Sequence, residues 1–308
     1  MMTEQLRNIL KKHGVTELVI ADVGAKDSLD YIHELAGITS LHAFEPNPVE
    51  YRNLELKYKT HPFRSLQLNQ TGLAEKEGTA QFHITEHAAM SSLLQPDIGN
   101  YERHFGSYRD FERWKEYIRP AEHISIELHT ADTYFKNSAI DYLKLDTQGS
   151  ELSVLKGATG LLANKKIQVI KVEVSTIPVY KDQALFSDID LFLRDHHYTL
   201  VDFITYRNDY TPIWNQDKAH SHYAPCGDAI YVLEDDASSV AFSIKRGILL
   251  YWLGYPGLAD SWLNKAGLSA NDISIIRSIK SVKYKSFRAR LFKNIMPPFL
   301  YRLMERMK

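Results

Sequence analysis

DYLKLDTQGSELSVLKGA, residues 141–158, carries a strand, a turn and the start of a helix in one stretch. The run at 141–145 is apolar and of strand length. A helical stretch opens at Ser150 and runs to 163, with Leu152, Leu155 and Leu162 along one stripe. Asp146 therefore stands at the carboxyl end of a strand. That is where ligands bind in open α/β sheets.

The same alternation extends in both directions. Strand-length runs recur at 17–24, 40–44, 65–69, 80–84, 123–129, 168–175, 198–203 and 228–234, rich in β-branched and aromatic residues. LVIADV and QVIKVEV are apolar nearly throughout, as expected of strands covered on both faces. Helices are expected at 28–36 from Ser28, at 47–58 with Asn47 as cap and Pro48 in the first turn, and at 184–195. Strand-helix repetition of this kind predicts a doubly wound α/β sheet. The adjacent strands near the middle and at the end are expected to include an antiparallel pair. After Asp236 the strand signal stops, and 237–308 read as a helical extension broken near Pro256-Gly257, Gly267 and Pro297-Pro298.

Composition narrows the class. The 308 residues include 37 Lys+Arg and 38 Asp+Glu, for a formal net charge of -1, with 44% hydrophobic residues. That excludes wholesale disorder and fibrous repeats. A single cysteine, Cys226, rules out an intrachain disulfide and a cysteine-built zinc cluster, and suggests a reducing, cytoplasmic setting. The charged start, MMTEQLRNILKKHG, has no apolar core, so no signal peptide is expected. The longest apolar stretch, GILLYWLGY at 247–255, suits a buried or interfacial helix and is too short for a span. Charge is unevenly placed: 277–308 hold ten Lys/Arg against Glu305 alone, giving +9, which leaves -10 on residues 1–276.

The first strand ends in Asp22-Val23-Gly24-Ala25, and Glu45 follows 21 residues after Gly24, at the end of the next strand. A glycine there lets the backbone turn close to a ligand, and an acid at that distance can accept both hydroxyls of a ribose. The full G-x-G-x-x-G of a pyrophosphate site is absent, since Lys26, Asp27 and Ser28 follow Ala25. A ligand with a ribose but no phosphate fits better, which points to S-adenosylmethionine over NAD.

Seven stretches in order resemble the FkbM-type class I methyltransferases across roughly residues 18–236: IADVGA (20–25), HAFEPNP (42–48), GLAEKEGTAQF (72–82), SSL (91–93), HTADTYF (129–135), DYLKLDTQGSELSVLKGA (141–158) and VEVS (172–175). The resemblance implies a Rossmann-like class I methyltransferase sheet with helices on both faces over residues 1–236, followed by the basic helical extension 237–308. It implies S-adenosyl-L-methionine as methyl donor and a hydroxyl oxygen of a sugar or polyketide-like product as acceptor. Carried over by position, Asp22, Gly24 and Ala25 line the methionine and ribose side, and Glu45 holds the ribose. Asn69, Gln70 and Gly72 lie near the adenine, and Asp146 faces the sulfonium and the acceptor. The family's G-A-N-x-G becomes Gly24-Ala25-Lys26-Asp27-Ser28 here, and its Asp-Val-Glu-Gly becomes Asp146-Thr147-Gln148-Gly149. The lost acid weakens the case for a metal, so no metal ligands are assigned and a role for a divalent ion is left open.

A hydroxyl acceptor needs help in losing its proton. Asp146 and Glu173 are the catalytic candidates, with His83, His87 and His129 as further candidate bases. Glu151, in a first helical turn, is read as favouring the helix dipole. Tyr101, Phe105, Tyr108, Phe111 and Trp114 recur at helical spacing as an aromatic lid over the acceptor or as a packed face. A second aromatic stretch, Tyr206 to Tyr223, includes His220 and His222, whose spacing matches no strong metal template. The basic, apolar tail suits peripheral contact with an anionic membrane at its inner face, and a lipid-linked glycan acceptor would be coherent with that. No nucleic acid partner is expected, and homo-oligomerisation is left open. The rival reading is a non-catalytic binding or scaffold subunit of a glycan-assembly system on the same fold.

Overall fold

The computed structural model describes residues 2–26, 28–105, 111–136, 138–205, 226–234 and 239–281. They form two compact units, which are not consecutive in the chain. One comprises 18–29 and 39–236, the other 1–17, 30–38 and 237–308.

The first unit is built on a seven-stranded sheet. Its strands are β1 (Leu18–Val23), β2 (Thr39–Phe44), β3 (Ser65–Asn69), β7 (Ile140–Leu145), β8 (Ile167–Ser175), β9 (Tyr198–Thr205) and β10 (Cys226–Leu233). The spatial order is β3-β2-β1-β7-β8-β10-β9. β10 runs antiparallel to both neighbours, and every other pair is parallel. The chain winds outward one way from β1 and the other way from β7, so these adjacent strands mark the switch point where such sheets bind ligands. β1, β7 and β8 are buried almost throughout, as strands covered on both faces must be. A smaller sheet orders β4 (Gly72–Leu73), β6 (Pro120–His129) and β5 (Gly78–Thr85), with β5 antiparallel to β6. All nine sequence-read strands form, and β4, two residues long, is the one that was not expected.

The helices depart more from expectation. α2 (Pro48–Lys57) starts as read, the Asn47 side chain accepting from the Val49 N–H. α8 (Phe186–Asp195) also lies where read. The helix read at 150–163 is two, α6 (Glu151–Lys156) and α7 (Thr159–Ala163). The break falls at Gly157, which packs so close to Ala74 that a Cβ would lie 1.9 Å from its carbonyl oxygen. In the aromatic stretch, α3 (Ile98–Phe105) and α4 (Phe111–Tyr117) form, and residues 106–110 between them lie outside the described residues.

The second unit is helical. It contains α1 (Met2–Lys12), α9 (Val240–Leu253), α10 (Pro256–Lys265), α11 (Ala270–Arg277) and a 3₁₀ segment, Asp30–Ile38, in place of the helix expected from Ser28. GILLYWLGY falls largely in α9 and is core: Ile248, Leu249, Leu250 and Trp252 are fully buried. Arg246 lies between the rings of Phe242 and Trp262, 4.4 and 4.1 Å from their centroids. α9 ends at Gly254 with φ +88, a left-handed cap. Among the described residues no helix is long and apolar enough to cross a membrane. Most of the basic tail, from 282 onward, lies outside the described residues.

Candidate active site

β1 ends in a turn that only glycine can make. Gly24 has φ +87, and a Cβ there would lie 1.9 Å from the Asp146 carbonyl oxygen, so the turns after β1 and β7 touch backbone to backbone. The Gly24 and Ala25 N–H groups both donate to the Phe44 carbonyl, at 3.0 and 3.1 Å. Lys26 then takes a left-handed conformation, φ +40, which aims its N–H at Glu45. The Glu45 carboxylate accepts from the Lys26 N–H at 2.8 Å on one oxygen and from the Asn47 N–H at 2.9 Å on the other. Each oxygen keeps a lone pair for a ligand. Burial pushes this carboxyl up to about 7, against the pull of the N–H groups of Asn47 and Lys26.

The turn after β7 is tied at every residue. The Asp146 N–H donates to the Val23 carbonyl at 3.0 Å. Glu151 reaches back to accept from the N–H groups of Thr147 (2.8 Å) and Gly149 (3.0 and 3.1 Å). This is a specific loop clamp, beyond the helix-dipole role expected of it. The Ser92 hydroxyl donates to the Gln148 carbonyl at 2.8 Å. Gln148 is left-handed, φ +57, and its side-chain nitrogen donates to Asp146 Oδ1 at 3.0 Å and Glu173 Oε2 at 2.6 Å. Its side-chain oxygen lies 3.3 Å from the Tyr180 hydroxyl, which also donates to the Met90 carbonyl at 2.8 Å.

Two lysines set the charge beneath. Lys144 Nζ is 2.8 Å from Asp22 and 3.6 Å from Asp146, and Lys171 pairs with Asp228 at 2.8 Å. Burial works to lower Lys144, but Asp22 and Asp146 outweigh it and raise it. Burial works to raise Asp146, but Lys144, Lys171 and the hydrogen bonds from Gln148 and Glu173 hold it below the usual carboxylate range. Glu173 moves the other way: burial, then the charges of Asp146, Glu151 and Asp228, hold it well above that range. Asp146 is thus biased toward its ionised form and Glu173 toward its protonated form.

Both turns open into one cavity of roughly 520 Å³. Of the sequence-read residues, Gly24, Glu45, Gly72, Asp146 and Glu173 line it. Four others do not. Asp22 is fully buried with its carboxylate on Lys144, and Ala25 is buried behind the turn. Asn69 is held by the Ala43 carbonyl and the Tyr134 hydroxyl, and Gln70 is exposed. Thr71, beside Gly72, takes their place in the wall. The candidate histidines are not in it either. His83 pairs with His123, Nδ1 to Nδ1 at 2.9 Å, His129 pairs with Glu77 at 3.0 Å, and His87 packs on Tyr117. Tyr101 and Trp114 line the far wall and belong to a cluster with Ile118 and Ile177. Tyr108 and the stretch 206–225, with His220 and His222, lie outside the described residues. Among the described residues no three His, Cys, Asp or Glu groups are placed to hold a metal. Sequence reasoning missed Tyr180 and Gln183, which carry no local motif, and saw Gln148 only as a lost acid.

The sequence model of the FkbM methyltransferase domain matches residues 22–200. The chain belongs to the FkbM methyltransferase family. Its activity class is therefore methyl transfer. Among solved structures, the chain is similar to a magnesium protoporphyrin IX methyltransferase from Synechocystis PCC 6803 with bound S-adenosylmethionine (8% identity, 76% of this chain and 78% of that one, TM-score 0.37). It is also similar to a TehB-like S-adenosylmethionine-dependent methyltransferase from Corynebacterium glutamicum (7%, 75% and 88%, 0.34). A third is an rRNA methylase from Streptococcus thermophilus (10%, 76% and 96%, 0.36). No curated protein matches the sequence.

The FkbM-family cavity fits S-adenosylmethionine on its own chemistry. Glu45 keeps lone pairs toward the cavity, and among the described residues the Thr147 hydroxyl is buried at the wall with no hydrogen-bond partner.

Proposed function

We propose that this FkbM-family methyltransferase uses S-adenosylmethionine to methylate a hydroxyl oxygen of a sugar or glycan. One observation carries the reading: the Gly24–Glu45 corner and the Asp146–Glu173 carboxyl pair open into the same cavity. S-adenosylmethionine, when bound, supplies an electrophilic methyl group. Glu45 accepts the ribose hydroxyls, with charge-assisted bonds of roughly 1.5–3 kcal/mol each. Asp146 and Glu173 serve the acceptor side, where the hydroxyl proton leaves to Asp146, the ionised member of the pair. Tyr101 and Trp114 offer an aromatic wall for the acceptor. The sugar class rests on the family resemblance together with this wall. Attachment of the basic tail to an anionic membrane, bringing the protein to a lipid-linked acceptor, extends the same proposal.

Thermal unfolding tests it, with S-adenosylmethionine, S-adenosylhomocysteine and NAD as separate additions. At about 100 times its dissociation constant a ligand adds about 2.7 kcal/mol of stability. A rise in Tm with the two sulfur nucleosides and not with NAD is expected. No rise with any of them would move the protein to a non-catalytic binding subunit.

A further inference from the structure

We propose that Gln148 is the positioning residue of the carboxyl pair: its side-chain amide holds Asp146 and Glu173 side by side so that they share one proton. The inference rests on the reading of Asp146 and Glu173 as the acceptor-side groups.

An amide nitrogen carries two hydrogens, and both are spent here. One goes to Asp146 Oδ1 and the other to Glu173 Oε2. The orientation of the amide follows from its partners. Two carboxyl groups face the nitrogen, while the Tyr180 hydroxyl, its one hydrogen shared with the Met90 carbonyl, faces the oxygen. A carboxylate at position 148 could donate to neither acid and would put a third carboxyl group beside the pair.

The backbone shows that the position is held rather than merely occupied. A left-handed conformation is uncommon for glutamine and persists only where the surroundings fix it. Those surroundings are explicit. Glu151 clamps the N–H on either side of Gln148, and Ser92 holds its carbonyl. Gly149, φ +103, sits tight against Tyr180 and Gln183, with 3.1 and 3.3 Å left for any Cβ.

The charged groups around the pair agree with a single shared proton. Lys144 faces Asp146 from β7, and Lys171 faces it from β8. Glu151 on α6 and Asp228 on β10 bear on Glu173, and Tyr180 remains a neutral phenol above it. Positive charge thus favours an ionised Asp146, and negative charge favours a protonated Glu173. Gln148 joins the two and keeps them at one geometry, so that the proton acceptor stays aimed at the cavity.

Infrared difference spectroscopy on the full chain tests this without knowing the acceptor. At neutral pH the wild type should show the C=O stretch of a protonated carboxyl, and Glu173→Gln should lose it. Gln148→Met keeps the length of the side chain and removes both donors. In that variant the pair should take up its second proton at a pH higher by about one to two units, since Asp146 loses a hydrogen bond to its ionised form. A merely structural Gln148 would lower the Tm and leave that titration in place. Should Gln148→Met not fold, Tyr180→Phe releases the amide oxygen and should move the titration the same way by less. No carboxyl band lost in Glu173→Gln, or an unmoved titration in the folded Gln148 or Tyr180 variant, overturns the inference. Calorimetry with S-adenosylhomocysteine on the same samples reads the cofactor assignment separately, so the two can fail independently.

Discussion

The turns after β1 and β7 lie side by side and are built on opposite plans. In the first, from Gly24 to Lys26, the N–H groups are tied to Phe44 and Glu45, and Glu45, at the end of β2, keeps lone pairs open toward the cavity. The second, from Asp146 to Gly149, has each residue tied by a backbone hydrogen bond, and its two carboxyls are already engaged with Gln148. The difference separates two tasks. A turn that binds a ligand leaves acceptors unspent, whereas a turn that must hold a proton at one atom spends its hydrogen bonds on rigidity.

The most severe way to break this contrast is at the contact between the turns. Gly24→Ala puts a methyl where the Asp146 carbonyl stands, in a backbone conformation alanine avoids. Binding of S-adenosylhomocysteine should become undetectable by calorimetry, with a lower Tm. Retained affinity would show that the two backbones can separate without cost. Asp146→Asn separates the tasks instead. On an acceptor returned by glycan screening, turnover should fall by about 10²–10⁴-fold. Affinity for S-adenosylhomocysteine should stay within a few-fold, and a large loss there would merge the roles of the two turns.

A smaller effect comes with pH. The Glu45 carboxyl stands at about 7 in the free protein, because burial raises it. Its acceptor strength needs the ionised form, so a ligand that binds there pulls the value down. Affinity for S-adenosylhomocysteine should therefore be level above pH 7 and fall by about tenfold per unit below it. The folding contribution has the opposite sense. An acid raised in the folded state favours folding at low pH, and that gain is lost as pH rises from 4.5 through about 7. A binding profile flat through this window would mean that Glu45 is not the group that meets the ligand.

Much of the sheet was legible because its strands are buried on both faces, which writes an apolar run into the sequence. The Gly24–Glu45 corner was legible for a similar reason, since a sharp turn and a spaced acid are local in sequence. What escaped depends on contacts between distant segments. Gly157 marks the helix break in the sequence, but its close approach to the Ala74 carbonyl shows only in the fold. Lys26, where the family has asparagine, takes a left-handed conformation that no local pattern in the sequence announced. Gln148 read as the loss of an acid, and its link between two strands emerged only when β7 and β8 were side by side. Of the stretch read as lying near the adenine, Gly72 lines the cavity together with Thr71, while Asn69 and Gln70 do not.

The central claim is that Glu45 holds the ribose of S-adenosylmethionine in this cavity. Calorimetric titration of S-adenosylhomocysteine into the wild type and Glu45→Ala tests it most directly. Binding by the wild type, with a dissociation constant about tenfold or more higher in the variant, is the predicted result. Equal affinity in the two proteins, both folded, would contradict it.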